Sequence, residues 1–348
     1  MTSKTKVRNT AAAWIHRPIS EAHVANLIGE DLLQSLLTAC KDDRVPTYVA
    51  GAHCYAVDGL LVPHISGGTG FSSLSDLISE ITTGGKRQDL NFTKAGTAGI
   101  AARSNSLWNV GSVPGAGGIG GTTGTGVAKT RASTGALTQT NPGGADTLHI
   151  VGGVFQGTIG TQLLLLYDRL WDMTHTMTVD PRAVDTANLP TRYQTAALAP
   201  GNFISGEVTT VLPAATPTIT FSYVDQDGNA AEAGPALSTI ASAAAVNTIP
   251  FTAPNWKYPI NAADTGVRSI TNVDLSAAMA SGVVSWFIGH PLMWIPMPTA
   301  NVPVVIDGVN SYIQLAEVLT GACLAFLEIC KGATTATSWW GNVTLVSG

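Results

Sequence analysis

Charge is what this sequence has least of. Asp, Glu, Lys and Arg make up 12% of its 348 residues, against about 25% in an average soluble domain. With 45% hydrophobic residues, disorder driven by charge repulsion is excluded. The 18 Lys and Arg are scattered singly in a chain of net charge -5, so no basic stripe follows a phosphate backbone and nucleic acid is not an expected partner. A freely soluble monomer of this length usually carries more charge, which points to a surface partly covered by other subunits.

Cysteine is nearly as scarce. Cys40, Cys54, Cys323 and Cys330 form no C-x-x-C pair and have no histidine at ligand spacing, which removes the zinc and thioredoxin signatures. The apolar run GACLAFLEIC favours buried thiols over disulfides and synthesis in a reducing cytoplasm. No continuous apolar segment follows the basic residues of MTSKTKVRNTAAAWIHRP, so a secretory leader is not expected there. The longest apolar stretch, Val283 to Met297, is broken by His290, Pro291 and Pro296. It is also shorter than the ~20 residues of a spanning helix, so no membrane partner is expected.

What is present reads as strands. A polar arm over 1–19 precedes Ser20, which would cap a helix with Val24, Leu27, Ile28, Leu32, Leu36 and Leu37 on one stripe. YVAGAHCYAV and GLLVPHI flank Asp58-Gly59 as a β-hairpin, and Gly67 to Gly70 form a hinge. Ser73 then caps a short helix, SLSDLISEI, which ends at Gly84-Gly85. From Gly111 to Gly126, eight of sixteen residues are glycine, which predicts a long loop able to thread between neighbouring subunits.

Beyond it, TLHIVGGVF, TQLLLLYDRLW, VTTVL, PTITFSYV, GVRSITNVDLS, GVVSWFIGHPLMWIP, CLAFLEIC and VTLV have strand length and β-rich composition. A polar span over 172–200 separates two of them. VIDGVNSYIQLAEVL has helical spacing at Ile313, Ala316 and Leu319. The expected fold is mainly β: an antiparallel β-sandwich or jelly-roll core over 71–348, with a small N-terminal arm, helix and hairpin over 1–70 and a few short helices.

Chemical motifs are weak. GTGVAKT lacks the G-K-[ST] core of a phosphate loop. Asp225, Asp227 and Asn229 miss the order of a calcium loop and have no Glu at its twelfth position, so a hairpin turn is expected. His16, His23, His53, His64, His149, His175 and His290 form no H-x-x-x-H pair, and no G-x-S-x-G elbow is present. The sequons at Asn91 and Asn342 matter only in a secreted chain. No catalytic, cofactor or metal residue is assigned, and the chain is expected not to be an enzyme. Trp286, Trp294, Trp339 and Trp340 fall in the last fifth of the chain. Trp286 reads as core, and of the adjacent pair Trp339-Trp340 one side chain would be core and the other an interface anchor.

Six segments in order, FSSLSDLISEITTGGK, TQLLLLYDRLW, NLPTR, TPTITFSYVDQDGNAAEAG, DTGVRSITNVDLSAAMASGVVSWFIGHPL and ACLAFLEICKGATTATSWWGNVTLV, resemble structural proteins of tailed-bacteriophage virions over about Phe71 to Val346. The first 70 residues and the glycine-rich stretch depart from that pattern. The resemblance implies a β-rich, non-enzymatic head decoration or cement protein, made in the bacterial cytoplasm and sited on the capsid surface. Its partners would be the major capsid protein and further copies of itself, as a trimer first of all. A tail or baseplate component, a host-glycan-binding virion protein and the main capsid subunit are the alternatives. The last of these needs a long spine helix, for which only about Glu21 to Ala39 is a candidate.

Overall fold

The computed structural model describes residues 47–49, 54–57, 60–63, 71, 73–83, 85–96, 103–121, 123–144, 146–160, 162–185, 188–230, 232–239, 246–252, 254–308, 315–329 and 336–348. The chain divides into Met1–Ser72 and Ser73–Gly348. In the first unit, β1 (Thr47–Val49), β2 (Cys54–Val57) and β3 (Leu60–Pro63) form an antiparallel sheet. Val57 pairs with Leu60, which leaves Asp58-Gly59 as the connection between two strands, as the sequence predicts. The arm over 1–19 and the helix expected after Ser20 lie outside the described residues.

The second unit opens with α1 (Leu74–Thr82), the only helix among the described residues. The Ser73 side chain accepts from Asp76 N–H at 3.0 Å, and Leu77 is buried. Then come β4 (Arg87–Ala95), β5 (Asn105–Ser106), β6 (Ser112–Val113), β7 (Val127–Ala128), β8 (Leu148–Gly157), β9 (Gln162–Thr176) and β10 (Arg182–Ala183). They are followed by β11 (Phe203–Thr210), β12 (Thr218–Asp225), β13 (Glu232–Ala233), β14 (Leu237–Ser238) and β15 (Val267–Leu275). Last are β16 (Val283–Met297), β17 (Val304–Asp307), β18 (Leu324–Ile329) and β19 (Ser338–Ser347).

These strands build three antiparallel sheets. The middle sheet runs β11-β16-β9-β18-β5, with β7 beside β9 where β18 has ended. One flanking sheet runs β17-β8-β19-β4-β6, and the other runs β10-β15-β12-β13 with β14 on β12. The expected β-sandwich is present, but the middle sheet packs on both faces. Along β18, Leu324 and Phe326 join one core cluster, while Ala325, Leu327 and Ile329 join the other. Burial on both faces is why LLLLY in β9 is continuously apolar rather than alternating.

Four elements differ from expectation. RQDLNFTKA forms β4, whose inward positions Leu90, Phe92 and Lys94 alternate with exposed polar residues. Strand β9 continues through Asp172 to Thr176 instead of ending at the polar span. Of the helix expected over Ile313, Ala316 and Leu319, the described residues 315–319 are not helical and Glu317 bridges to His149; Val304–Asp307 is strand, and 309–314 lie outside the described residues. VTTVL contributes only its first residues, because β11 begins earlier, at Phe203.

The glycine-rich segment is mostly loop, with Ser112–Val113 pairing on β4 as the short strand β6, and much of it packs on its own chain. A Cβ on Gly117 would meet the Trp108 ring at 2.2 Å, and one on Gly126 the Trp171 ring at 1.8 Å. The loop is also pinned by cations. Lys94 Nζ donates to Val110 O (2.9 Å) and Pro114 O (2.8 Å), and Lys129 Nζ donates to Gly118 O (3.0 Å).

Strand β16 explains the prolines in its apolar run. It pairs with β9 over its whole length, whereas β11 ends opposite Gly289. Pro291 and Pro296 therefore fall where the β11 ladder has stopped, and edge positions tolerate a missing N–H.

Candidate functional site

The exposed face of the β17-β8-β19-β4-β6 sheet carries the most regular surface pattern on the described residues. In SWWGNVTLV alternate side chains point to opposite faces. Trp339, Val343 and Leu345 enter the core, leaving Trp340, Asn342 and Thr344 outward. Strand register then sets their neighbours. Val305, Val154, Asn342 and Asn91 form one row, and Gln156, Trp340, Thr93 and Val113 form the next. A third row holds Asp307, Gly152, Thr344 and Asp89.

The first two rows carry no charge. Their valines are open to solvent: Val305 is 69% exposed, Val113 56% and Val154 42%. Three of their polar members, Trp340, Gln156 and Asn342, are hydrogen-bonded to neighbouring side chains or backbone. Trp340 Nε1 donates to Gln156 Oε1 (3.1 Å), and Gln156 Nε2 donates to Asn301 O (2.9 Å). Thr344 Oγ1 and Asn342 Nδ2 donate to Asp89 Oδ1 at 2.8 and 3.3 Å, beside the Arg87–Asp89 ion pair. Side chains held this way lose little rotamer freedom when a partner covers them. An uncharged centre with an aromatic anchor and a charged rim is the makeup of a protein–protein contact.

Chemistry-bearing side chains are instead sealed inside. In DRLWD of β9, Arg169 Nε donates to Asp172 Oδ2 (3.0 Å) and its Nη2 donates to Glu207 Oε1 (2.7 Å). Arg169 Nη1 reaches the Tyr167 hydroxyl (3.2 Å), and the guanidinium lies 4.2 Å from the Phe287 ring centroid and 4.9 Å from that of Trp108. Lys129 Nζ stands 3.1 Å from Asp172 Oδ1 as an ion pair. Arg192 grips Asp168 with both ends of its fork (2.7 and 2.9 Å) and donates to Lys129 O (2.6 Å). Burial pushes the Asp168 carboxyl upward, while Arg192 and the Cys323 N–H pull it back. Lys129, Arg169 and Arg192 thus cancel Asp168, Asp172 and Glu207.

Among the described residues no group of three or more His, Cys, Asp or Glu is placed to hold a metal. The Asp225 carboxylate is spent within its turn, accepting from Asp227 N–H, Asn229 N–H and Asn229 Nδ2. Lys129 of GTGVAKT is the buried ion-pair partner already described. Trp286 is core: Phe221 lies edge-on at 5.0 Å. Of the adjacent pair, Trp339 is core and Trp340 faces outward, while Trp294 packs on Trp256 at 5.4 Å and is 39% exposed. Cys323 is buried, which pushes its thiol far up. Cys40 and Cys330 lie outside the described residues, and no helix among the described residues is long and apolar enough to cross a membrane.

Two histidines, the buried His175 and the half-buried His290, make the fold acid-sensitive. Asn202 Nδ2 donates to Tyr193 O and Val267 O, so its Oδ1 accepts from His290 Nδ1–H (2.9 Å). His290 also stacks on Tyr193 at 3.9 Å, and burial lowers its pKa to about 4. His175 is held neutral: Trp286 Nε1 donates to its Nδ1 (3.0 Å) and its Nε2–H donates to Val179 O (2.8 Å). Burial lowers its pKa too, with Asp180 opposing and Arg182 assisting. Because both folded values lie below 6.5, the unfolded chain takes up protons first as pH falls. Stability is fully present above pH 6.5 and drains away toward pH 4. His290 alone accounts for about 3 kcal/mol at ~1.4 kcal/mol per pKa unit. Thermal melts from pH 7.5 to 4 should show a progressive fall, and a flat profile would contradict this assignment.

No family model matches the chain, and no curated protein matches it. Solved structures similar to it include viral capsid proteins. The infectious bursal disease virus VP2 subviral particle is 11% identical at TM-score 0.17, over 75% of this chain and 80% of that one. The T=1 particle derived from the same virus is 11% identical at TM-score 0.18, over 75% and 78%. TM-scores this low do not establish a shared fold.

Proposed function

We propose that this chain is a non-enzymatic structural protein of a bacteriophage virion, a decoration or cement subunit that self-associates and bridges major capsid subunits on the head. The observation that carries the reading is the outer face of the β17-β8-β19-β4-β6 sheet, with two uncharged rows in which three valines are open to solvent and Trp340, Gln156 and Asn342 are held by hydrogen bonds. A surface of that makeup gains by being covered and loses little by being held. The pairing of buried charges inside one chain supports the same reading, since the groups that would do chemistry are engaged in holding strands together. The resemblance of the six ordered segments to tailed-phage virion proteins is what suggests a phage.

Cementing would act through multivalency, with many weak contacts at high effective concentration adding up to a tight lattice. The test is quantitative mass spectrometry of purified particles that contain the chain. A copy number in fixed ratio to the major capsid subunit is expected. A ratio matching the tail or baseplate proteins would overturn the head assignment in favour of a tail component.

A further inference from the structure

We propose that the outer face of the β17-β8-β19-β4-β6 sheet docks the same face of a second copy, about a two-fold axis running along β19. The inference deepens the assembly reading by naming a partner for that face, and it rests on the strand register. In the sheet, β19 is the middle strand, with β8 then β17 on one side and β4 then β6 on the other.

A two-fold axis along β19 lays β4 of the second copy over β8 and β6 over β17, so each contact occurs twice. Val305 of one copy then lies beside Val113 of the other, offset by one row. Asn91 of the second copy falls opposite Val154, and Trp340 and Asn342 lie on the axis opposite their own counterparts. In the third row, the Arg87–Asp89 pair of the second copy falls over Gly152, which has no side chain, and beside Asp307. No charges face each other in the first two rows; at the rim Asp89 of the second copy lies beside Asp307, with Arg87 paired to that Asp89.

A sugar ligand fits this face less well. Sugar hydroxyls need several free planar donors and acceptors, whereas Trp340 Nε1, both ends of Gln156 and the Asn342 and Thr344 donors are already bonded, which leaves Asn91 as the one open amide of the rows.

Size sets the strength of the contact. Five strands ~4.8 Å apart and three rows ~6.8 Å apart cover roughly 500 Å², less than the ~800 Å² per partner of a standard stable interface. The contact is therefore weak between free molecules and populated at high local concentration.

Purified protein at high concentration and a short bis-maleimide cross-linker test the arrangement without any particle. Asn342→Cys, on the axis, should cross-link to itself at least about tenfold faster than Val305→Cys, although Val305 is far more exposed. The native cysteines are common to both variants. Adding Val154→Arg, which the open monomer surface accommodates, should cut the Asn342→Cys yield about tenfold with the melting temperature unchanged. Faster cross-linking of Val305→Cys, no cross-link from Asn342→Cys, or retention of the wild type on a polysaccharide resin that Trp340→Ala abolishes would overturn the proposal. A chain absent from phage heads that still cross-links through Asn342→Cys would overturn only the head reading.

Discussion

Replacing Arg169 by Met is expected to destabilise the Ser73–Gly348 unit by about 3–5 kcal/mol, the cost of removing one member of a buried ion pair. The guanidinium is fully buried, holds Asp172 and Glu207, and is flanked by the rings of Phe287 and Trp108. Methionine fills much of the volume but leaves Glu207 with no countercharge, since Glu207 Oε2 already has no hydrogen-bond partner. Asp172 keeps Lys129, so the loss is concentrated at Glu207. Adding Glu207→Gln should therefore recover part of the stability, and the two substitutions should couple by more than 1 kcal/mol. At ~2–4 °C per kcal/mol, the single variant should melt of order 10 °C lower. Arg87→Met, which breaks an exposed pair, should stay within about 0.5 kcal/mol. Denaturant melts of Arg169→Met, Glu207→Gln, their double variant and Arg87→Met test this. Equal small losses for Arg169→Met and Arg87→Met would show that the buried cluster is not a keystone of the middle sheet.

Gly126→Ala should be among the most damaging alanines in the glycine-rich loop, together with Gly121→Ala, whose Cβ would lie 1.9 Å from the Thr125 carbonyl at φ +73°, and Gly118→Ala among the mildest. A methyl at Gly126 would overlap the Trp171 ring, which is fully buried on β9 and has nowhere to turn. Overpacking of this kind costs about 1–3 kcal/mol and sometimes more. Gly120 is nearly as constrained, with a Cβ 2.1 Å from Asp172 Oδ1 and 2.8 Å from Lys129 Nζ. At Gly118 nothing lies within 4 Å, and its role is to present a carbonyl to Lys129 and to Trp108 Nε1. Alanine there should be neutral or slightly stabilising, because it narrows the unfolded ensemble. A free linker would respond to both substitutions alike. Stability measurements on the pair thus decide between a packed cover over the ionic core and a flexible arm.

Much of the strand content was legible because its signals are local. PTITFSYV alternates and GVRSITNVDLS stands between turn residues, while LLLLYDRLW has the unbroken apolar run of a strand covered on both sides. Strand β4 was not legible. Its outward Asp89, Asn91 and Thr93 dilute the apolar signal, and one of its inward residues is Lys94, whose ammonium is satisfied only by carbonyls of a loop sixteen or more residues on. The helix expected near Ala316 rested on spacing alone, and tertiary pairing of Glu317 with His149 overrode it.

The ionic core left one trace, an Asp-Arg pair inside an apolar run. Such charges are buried only when paired, but the partners Lys129, Arg192 and Glu207 come from distant segments that spacing cannot connect. The outer face was half legible. Alternation in SWWGNVTLV separates Trp339 from Trp340, whereas the neighbours of Trp340 follow from register with β8 and β4, which is a non-local property.

The central claim is that this chain coats a phage head and that its uncharged sheet face is covered there. A cryo-electron microscopy reconstruction of the particle tests it most directly. The expected map shows the chain on the icosahedral shell in fixed ratio to the major capsid subunit, with Trp340 and Asn342 against another subunit. Density confined to the tail, or on the shell with that face open to solvent, would contradict it.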